Sequence, residues 1–332
     1  MLQKRSYYSF LFVGSVVTLL IFVKCQTNNH QLSVIECVSS PSDNPISAEK
    51  IAFGKKLFFD KRLSRDESIS CATCHVPEYA FTDRKKVSEG VNGGKTERNS
   101  PSLLNAGFLK TMMYDAHLTS LEMQAIVPIQ EHVEMDMKMK DLVQRLRLVE
   151  EYQKEAKRIF NREVDAFVIT RSIAAFERSL LSQNSRFDSY YYKKNKNALS
   201  KDELAGWKIF SEELYCTKCH PAPAFTNYVA ENNGLYLDYG QDKGRFRIFN
   251  DSMDIGKFKI PSLRNIELTY PYMHDGSLAS LDAIFSHYEK GGAKHPLQSK
   301  IIQPFVLTKK QKEQLKLFLF SLTDTTYMKD FR

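Results

Sequence analysis

The sequence predicts a mainly α-helical protein of two domains, and three observations point there. Segments with apolar residues at helical spacing recur along the chain, no long run alternates apolar with polar residues as a half-buried strand would, and one five-residue cysteine–histidine pattern occurs in each half. The 332 residues exceed an ordinary single domain, whose size is roughly 100–200 residues. Hydrophobic residues make up 42% and aromatics 12%, which supplies packed cores and excludes wholesale disorder. The net charge of +8 is spread along the chain rather than gathered in basic runs. No nucleic-acid partner is therefore expected, and a mildly positive surface suits an acidic protein partner instead.

Taken in order, residues 1–25 read as an export signal, with basic Lys4 and Arg5, an apolar stretch from about Tyr7 to Val23 and a polar exit. Cys25 stands where a lipoprotein signal carries its lipid, but Lys24 departs from the small residue usual before it. A lipid tether on Cys25, a cleaved soluble form and an uncleaved anchor all remain open, and each puts the body in the periplasm. No later stretch approaches a membrane span, which excludes a polytopic membrane protein. Residues 26–44 read as linker, and Cys37 within it has no assigned chemistry. Apolar periodicity then predicts helices over Ala48–Phe59, Met137–Phe160, Val164–Ser179, Leu199–Leu214 and Lys309–Leu322. The segment 185–197, SRFDSYYYKKNKN, reads as the exposed joint between a domain at 45–190 and another at 191–332. Trp207, the single tryptophan, falls on the helix before the second cysteine pattern and reads as core.

The repeated pattern is Cys71-Ala-Thr-Cys74-His75 and Cys216-Thr-Lys-Cys219-His220. Cys-x-x-Cys-His is the attachment sequence for c-type haem. Two thiols about one helical turn apart each form a thioether to a vinyl group, and the adjoining histidine reaches the iron. Zinc held by the four cysteines is the alternative, but it leaves both histidines as coincidences. Two covalent haems fit an exported protein and make both domains cytochrome c-like.

Several further segments, in order along residues 45–325, make the chain resemble the bacterial dihaem cytochrome c peroxidase family, which includes MauG of methylamine utilisation. They are Ser70–His75, Arg98–Asn105 (RNSPSLLN), Gln124–Glu134 (QAIVPIQEHVE), Cys216–His220 and Pro261–Ser277 (PSLRNIELTYPYMHDGS). The resemblance implies a peroxidatic haem in the N-terminal domain and an electron-accepting haem in the C-terminal one. It maps the distal glutamate and glutamine of the peroxide site onto Glu134 and Gln124, with Pro128 between them. Read without the resemblance, Glu134 is only a solvated acid in an acidic stretch.

Many members cap the peroxidatic iron with a second histidine in the loop after the first motif. Here residues 76–116 contain no histidine, and the aligned position is Val91. The resemblance thus implies a site open without prior reduction, as in MauG. His117, nearby, aligns with a family arginine rather than with the cap. The distal ligand of the second haem maps onto Tyr288, with Met273, Met253 and His287 as competitors. A phenolate is a hard donor that lowers the potential relative to a thioether. His274 matches a family histidine near the second haem. The family's relay tryptophan is replaced by Tyr114, which must lose a proton when oxidised. A bridging calcium ion maps onto Asn99, Thr269 and Pro271, an oxygen-only set.

The expected activity is reduction of hydrogen peroxide to water, using a small c-type cytochrome or cupredoxin as donor. A MauG-like oxidant acting on a protein or small molecule, and a dihaem carrier without peroxide chemistry, are the alternatives. Family members are often dimers, so a homodimer is also open.

Overall fold

The computed structural model describes residues 38–331. The export signal, Cys25, Cys37 and most of the 26–44 linker lie outside them. Among the described residues no helix is long and apolar enough to cross a membrane. The helices are α1 (Ala48–Phe58), α2 (Cys71–Cys74), α3 (Leu121–Gln124), α4 (Ile126–Gln130), α5 (Met139–Arg147), α6 (Glu150–Phe160), α7 (Ala166–Ser179), α8 (Arg186–Tyr191), α9 (Lys201–Lys208), α10 (Phe246–Phe249), α11 (Leu281–Glu289) and α12 (Lys309–Phe320). The described strands are a two-residue antiparallel pair, β1 (Ala230–Glu231) and β2 (Phe258–Lys259), with Ala230 opposite Lys259.

Helix starts follow local capping chemistry. Ser47, Asp165, Ser200, Ser280 and Thr308 each accept a first-turn backbone N–H, which satisfies a donor that the helix itself leaves open. The predicted helix over 137–160 is in fact two, α5 and α6, parted at Leu148, which is 87% exposed. The reason is geometric. Leu142 and Tyr152 are ten residues apart, which at about 100° per residue leaves them roughly 80° out of line on one continuous helix. The break lets both stripes, Leu142 with Leu146 and Tyr152 with Ala156, face one core. The helix predicted over 199–214 runs as α9 and then loosens into a wide turn at Ile209–Glu213.

The segment read as an exposed joint departs further from expectation. Ser185 and Asp188 cap each other reciprocally and start α8 within it. Phe187 and Asp188 are fully buried, and Asp188 takes two hydrogen bonds from Arg264, at 2.7 and 2.8 Å. Losing one partner of such a buried pair costs about 3–5 kcal/mol. Tyr190 and Tyr192 pack on the core beside it rather than lying free on the surface.

The apolar interior forms two main clusters. One gathers Phe53, Leu57, Ile129, Leu142, Leu146 and Ile173; the other gathers Phe187, Phe210, Phe225, Phe285 and Phe318, with Trp207 packed against it. A third cluster ties Phe58, Phe81 and Phe176 to Tyr327, with Phe331 packed against it.

The two halves repeat one another closely. A shift of 160 residues carries Ser102 onto Ser262 and Asn105 onto Asn265. Ser102 Oγ donates to Ala80 O and Ser262 Oγ to Ala224 O, both at 2.6 Å. Asn105 and Asn265 both adopt left-handed backbone, at φ 62° and 58°, before a short helical turn. Met112 pairs with Leu118 as Tyr272 pairs with Leu278. Close helix packing repeats as well: a Cβ on Gly54 in α1 would fall 1.9 Å from Ser172 O in α7, and one on Gly206 in α9 would fall 2.0 Å from Gln314 O in α12. The halves also exchange matching backbone bonds, Asn99 N–H to His274 O at 2.8 Å and Lys259 N–H to Tyr114 O at 2.7 Å. The same shift relates residue 99 to 259 and residue 114 to 274, so the exchange is that of a pseudo-twofold axis.

Candidate functional site

The first Cys-x-x-Cys-His unit forms one helical turn. Thr73 Oγ1 accepts the Ser70 N–H and the Ser70 carbonyl accepts the Thr73 N–H, both at 3.0 Å, at the start of the turn that holds Cys71 and Cys74 on α2. His75 then leaves the helix, and its Nδ1 donates to Phe81 O at 2.9 Å. That bond fixes the tautomer and leaves the Nε2 lone pair bare, the arrangement an axial metal ligand needs. Burial lowers the His75 pKa, keeping the ring neutral. His220 repeats this with Phe225 O at 3.0 Å, and burial lowers its pKa to about 4.

None of the four cysteines is paired in a disulfide, and burial raises the pKa of each, to about 11 at Cys74 and about 12 at Cys216. No group of three or more His, Cys, Asp or Glu among the described residues is placed to hold a metal, so the four cysteines do not converge as a zinc site requires. Cys71, Cys74 and His75 instead line a cavity of about 590 Å³, solvent at its mouth included. Thiols, bare imidazole and an internal space in one wall fit a covalently attached haem.

The same cavity is lined by Gln124, from the end of α3, Pro128 of α4 and Glu134, from the turn before α5. The structure therefore brings together the residues mapped to the peroxide site. Burial, helped by neighbouring Glu131, raises the Glu134 carboxyl to about 7. Half-ionised near neutrality, it is poised to take up and give back a proton. Gly90 is what lets the turn approach, since a Cβ there would meet Val133 O at 2.1 Å. Val91, next to it, donates its N–H to Glu134 O at 2.9 Å and points into the core, 2% exposed. His75 is the single histidine among the cavity's lining residues, and His117 is not one of them.

Glu177 is a lining residue that the sequence reading missed. It is 4% exposed, its Oε2 has no partner, and burial raises its pKa to about 8. The signal was obscured because Arg178, next in sequence, looks like its partner but pairs with Glu122.

At the second unit, His220 and Tyr288 are both half-buried. Burial pushes the Tyr288 phenol up to about 12, while the Asn233 amide beside it works the other way. Met273 Sδ also accepts from Asn233, at 3.3 Å. His287 donates its Nε2 proton to Asn233 O at 3.1 Å, and Met253 is 58% exposed. Tyr288 and Met273 thus share the Asn233 side chain, whereas His287 is bonded to the Asn233 carbonyl and Met253 lies exposed.

The internal repeat adds an independent alignment. Pro128 lies eight residues past the helix cap Ser120, and Tyr288 eight past the cap Ser280. Tyr288 therefore occupies in the second half the place that Pro128 occupies in the wall of the first cavity. Trp207 packs among Phe187, Phe210 and Phe318, away from any relay position.

Tyr114 sits where the halves meet, its carbonyl taken by Lys259, and burial raises its phenol pKa. Its repeat partner is His274, which stacks on Phe258 with centroids 3.6 Å apart. Asn99 is bonded to His274 O, and Arg84 Nε to Leu268 O at 2.9 Å, so the segments holding Asn99, Thr269 and Pro271 lie side by side.

The di-haem cytochrome c peroxidase family profile matches residues 48–197. The chain is 36% identical to methylamine utilization protein MauG of Methylorubrum extorquens AM1 over 291 residues, 86% of this chain and 82% of that one. It is 32% identical to cytochrome-c peroxidase IdrP1 of Pseudomonas sp. strain SCT, covering 88% and 85%. A crystal structure of a MauG-like protein associated with microbial copper homeostasis superposes with a TM-score of 0.84 at 33% identity, over 91% of this chain and 97% of that one. With two haem-attachment units on a mainly helical frame, this chain belongs to the di-haem cytochrome c peroxidase family, which holds both peroxidases and MauG.

Proposed function

We propose that this protein is an exported peroxidase that reduces hydrogen peroxide to water with electrons from a small c-type cytochrome or cupredoxin. Its two haem-bearing parts would be 45–190 and 191–332. The observation that carries the reading is Glu134, a carboxyl raised to about 7 in the cavity that also holds His75 and Gln124. The reaction consumes one peroxide, two protons and two electrons and yields two waters. The haem held at His75, when bound, supplies the electrons that cleave the O–O bond. Glu134 takes the proton from the inner peroxide oxygen and returns it to the outer one, which leaves as water. The Gln124 amide orients the peroxide. Tyr114 passes electrons between the halves, releasing its phenol proton when oxidised. Asn99, with the carbonyls of Thr269 and Pro271, holds a calcium ion that ties the halves together. Treatment with a calcium chelator should then slow turnover, and added calcium should restore it.

The test uses fully oxidised protein, hydrogen peroxide and a reduced small cytochrome c, following oxidation of the cytochrome. Rapid turnover without prior reduction is expected, because Val91 offers no cap. Turnover only after half-reduction would overturn the open-site reading. A second reading, a MauG-like oxidant of another substrate, is favoured by Tyr288 beside Asn233. Absence of turnover in either state, with a persistent peroxide-induced spectrum, would select it.

A further inference from the structure

An open cleft lies at the joint between the halves, apart from the peroxide cavity. Thr111 lines it from the first half, and Tyr228, Val229, Arg245, Asp254 and Lys257 line it from the second. None of these residues lines the first cavity. The charges of the cleft do not balance. Asp254 is its single acid, and both carboxylate oxygens are taken, Oδ2 by Arg245 at 3.0 Å and Oδ1 by Lys257 at 3.1 Å. Two cations against one carboxylate leave a positive charge unmatched. Lys110, whose ammonium lies 5.9 Å from the centre of the Tyr228 ring, adds another beside the cleft.

Hydrogen-bond donors are left over as well. An ammonium carries three N–H groups, and Lys257 directs one of them at Asp254. Arg245 gives Nε to Asp254 and one terminal nitrogen to the carbonyls of Asp115 and Ala116, at 3.3 and 3.1 Å. Its other terminal nitrogen has no acceptor among the described residues. The guanidinium is also pinned where it is, with Cζ 4.0 Å from the centre of the Phe249 ring. Thr111 Oγ1 is buried without a hydrogen-bond partner, which is uncommon in a folded protein and points to a group that belongs there. The remaining wall, the Val229 side chain and the Tyr228 ring, is apolar. We propose that this cleft binds a small organic carboxylate. The carboxylate oxygens accept from Thr111 Oγ1, Lys257 Nζ and the open terminal nitrogen of Arg245, and the carbon body rests on Val229 and Tyr228. One ligand is then held by both halves. Because Arg245 also holds the Ala116 carbonyl, two residues from Tyr114, the ligand steadies the segment that carries the relay position. The site goes beyond the peroxidase reading and does not depend on it.

The test is calorimetric titration of the oxidised holoprotein with benzoate. Saturable binding at one site is expected. Benzamide, of the same shape without the charge, should bind about tenfold more weakly or worse, as loss of a hydrogen bond to a charged group predicts. Thr111→Val, which keeps the side-chain shape, and Lys257→Met should each weaken benzoate by a similar factor. The haem absorption spectrum should stay unchanged on binding, which separates this site from the peroxide cavity. Absence of binding, equal binding of benzamide, or a variant that binds benzoate as tightly as wild type overturns the proposal. Should Lys257→Met fail to fold, Thr111→Val decides alone. A crystal structure of the holoprotein with a haem propionate on Lys257 or Thr111 would also overturn it, because the donors would then belong to the cofactor.

Discussion

The helix facing each attachment unit begins at a serine cap in both halves, and the residues one and two turns past that cap separate the two sites. In the first half the fourth and eighth residues after Ser120 are Gln124 and Pro128; in the second, after Ser280, they are Ile284 and Tyr288. The first site therefore has an amide and a residue unable to bind metal, in a cavity shared with a half-ionised acid. The second has an apolar residue and a phenol. The frame is common to both, down to Gly54 and Gly206, so the difference in chemistry is carried by very few side chains. The first cavity is lined by polar Gln124 and Glu134, whereas the matching cap in the second half is followed by an apolar residue and a phenol.

The largest test of that contrast is Glu134→Gln. General acid–base catalysis contributes about 10²–10⁴-fold, so peroxide turnover should fall by at least about 100-fold while both haem spectra stay near wild type. The pH profile sharpens it. The ionised carboxylate is the proton acceptor, so kcat/KM should rise with pH through about 7 in the wild type and lose that step in the variant. Next, Tyr288→Met should raise the potential of the second haem alone, by more than ~59 mV, the tenfold unit for one electron. An unchanged potential would leave Met273 as the distal ligand. Third, Gln124→Ile copies the second half into the first. Loss of one hydrogen bond to substrate, about 1–1.5 kcal/mol, should reduce kcat/KM roughly tenfold.

The smallest effect is on stability. Glu177 has a raised pKa of about 8, so the folded state binds its proton more tightly than the unfolded chain. Its contribution is fully present below the ordinary glutamate range and is lost as pH rises towards 8. Glu177→Gln should therefore raise the thermal midpoint by a few degrees at pH 8.5, with little change at pH 4. A midpoint shift of equal size at both pH values would mean that the acid carries no folded-state proton.

Much of this was legible in the chain. The two Cys-x-x-Cys-His units depend only on neighbouring residues, so spacing alone disclosed them. Glu134 did not stand out that way, because an acid in an acidic stretch is indistinguishable from surface until the fold buries it. Resemblance to relatives was needed to single it out. The departure at α8 has a local cause: Tyr and Lys give 185–197 the composition of an exposed joint, whereas the Ser185–Asp188 capping pair starts a helix there. The internal repeat had its own signal in Pro101-Ser-Leu-Leu-Asn105 and Pro261-Ser-Leu-Arg-Asn265, but five residues carry little weight until their hydrogen bonds are seen to match. Glu177 required the third dimension, because its neighbour Arg178 turns away to Glu122.

The aromatic cluster behind His75 bears on how the protein is made. Tyr327 donates its hydroxyl to Pro77 O at 3.1 Å, and Phe331 lies against Phe81 and Phe176. The wall behind the first attachment unit is thus completed by residues translated some 250 positions later. Until they emerge, the stretch around Cys71 and Cys74 stays uncovered on that side. The backing of the first attachment unit is therefore a contact of long sequence separation, which forms only once residues 327–331 are in place.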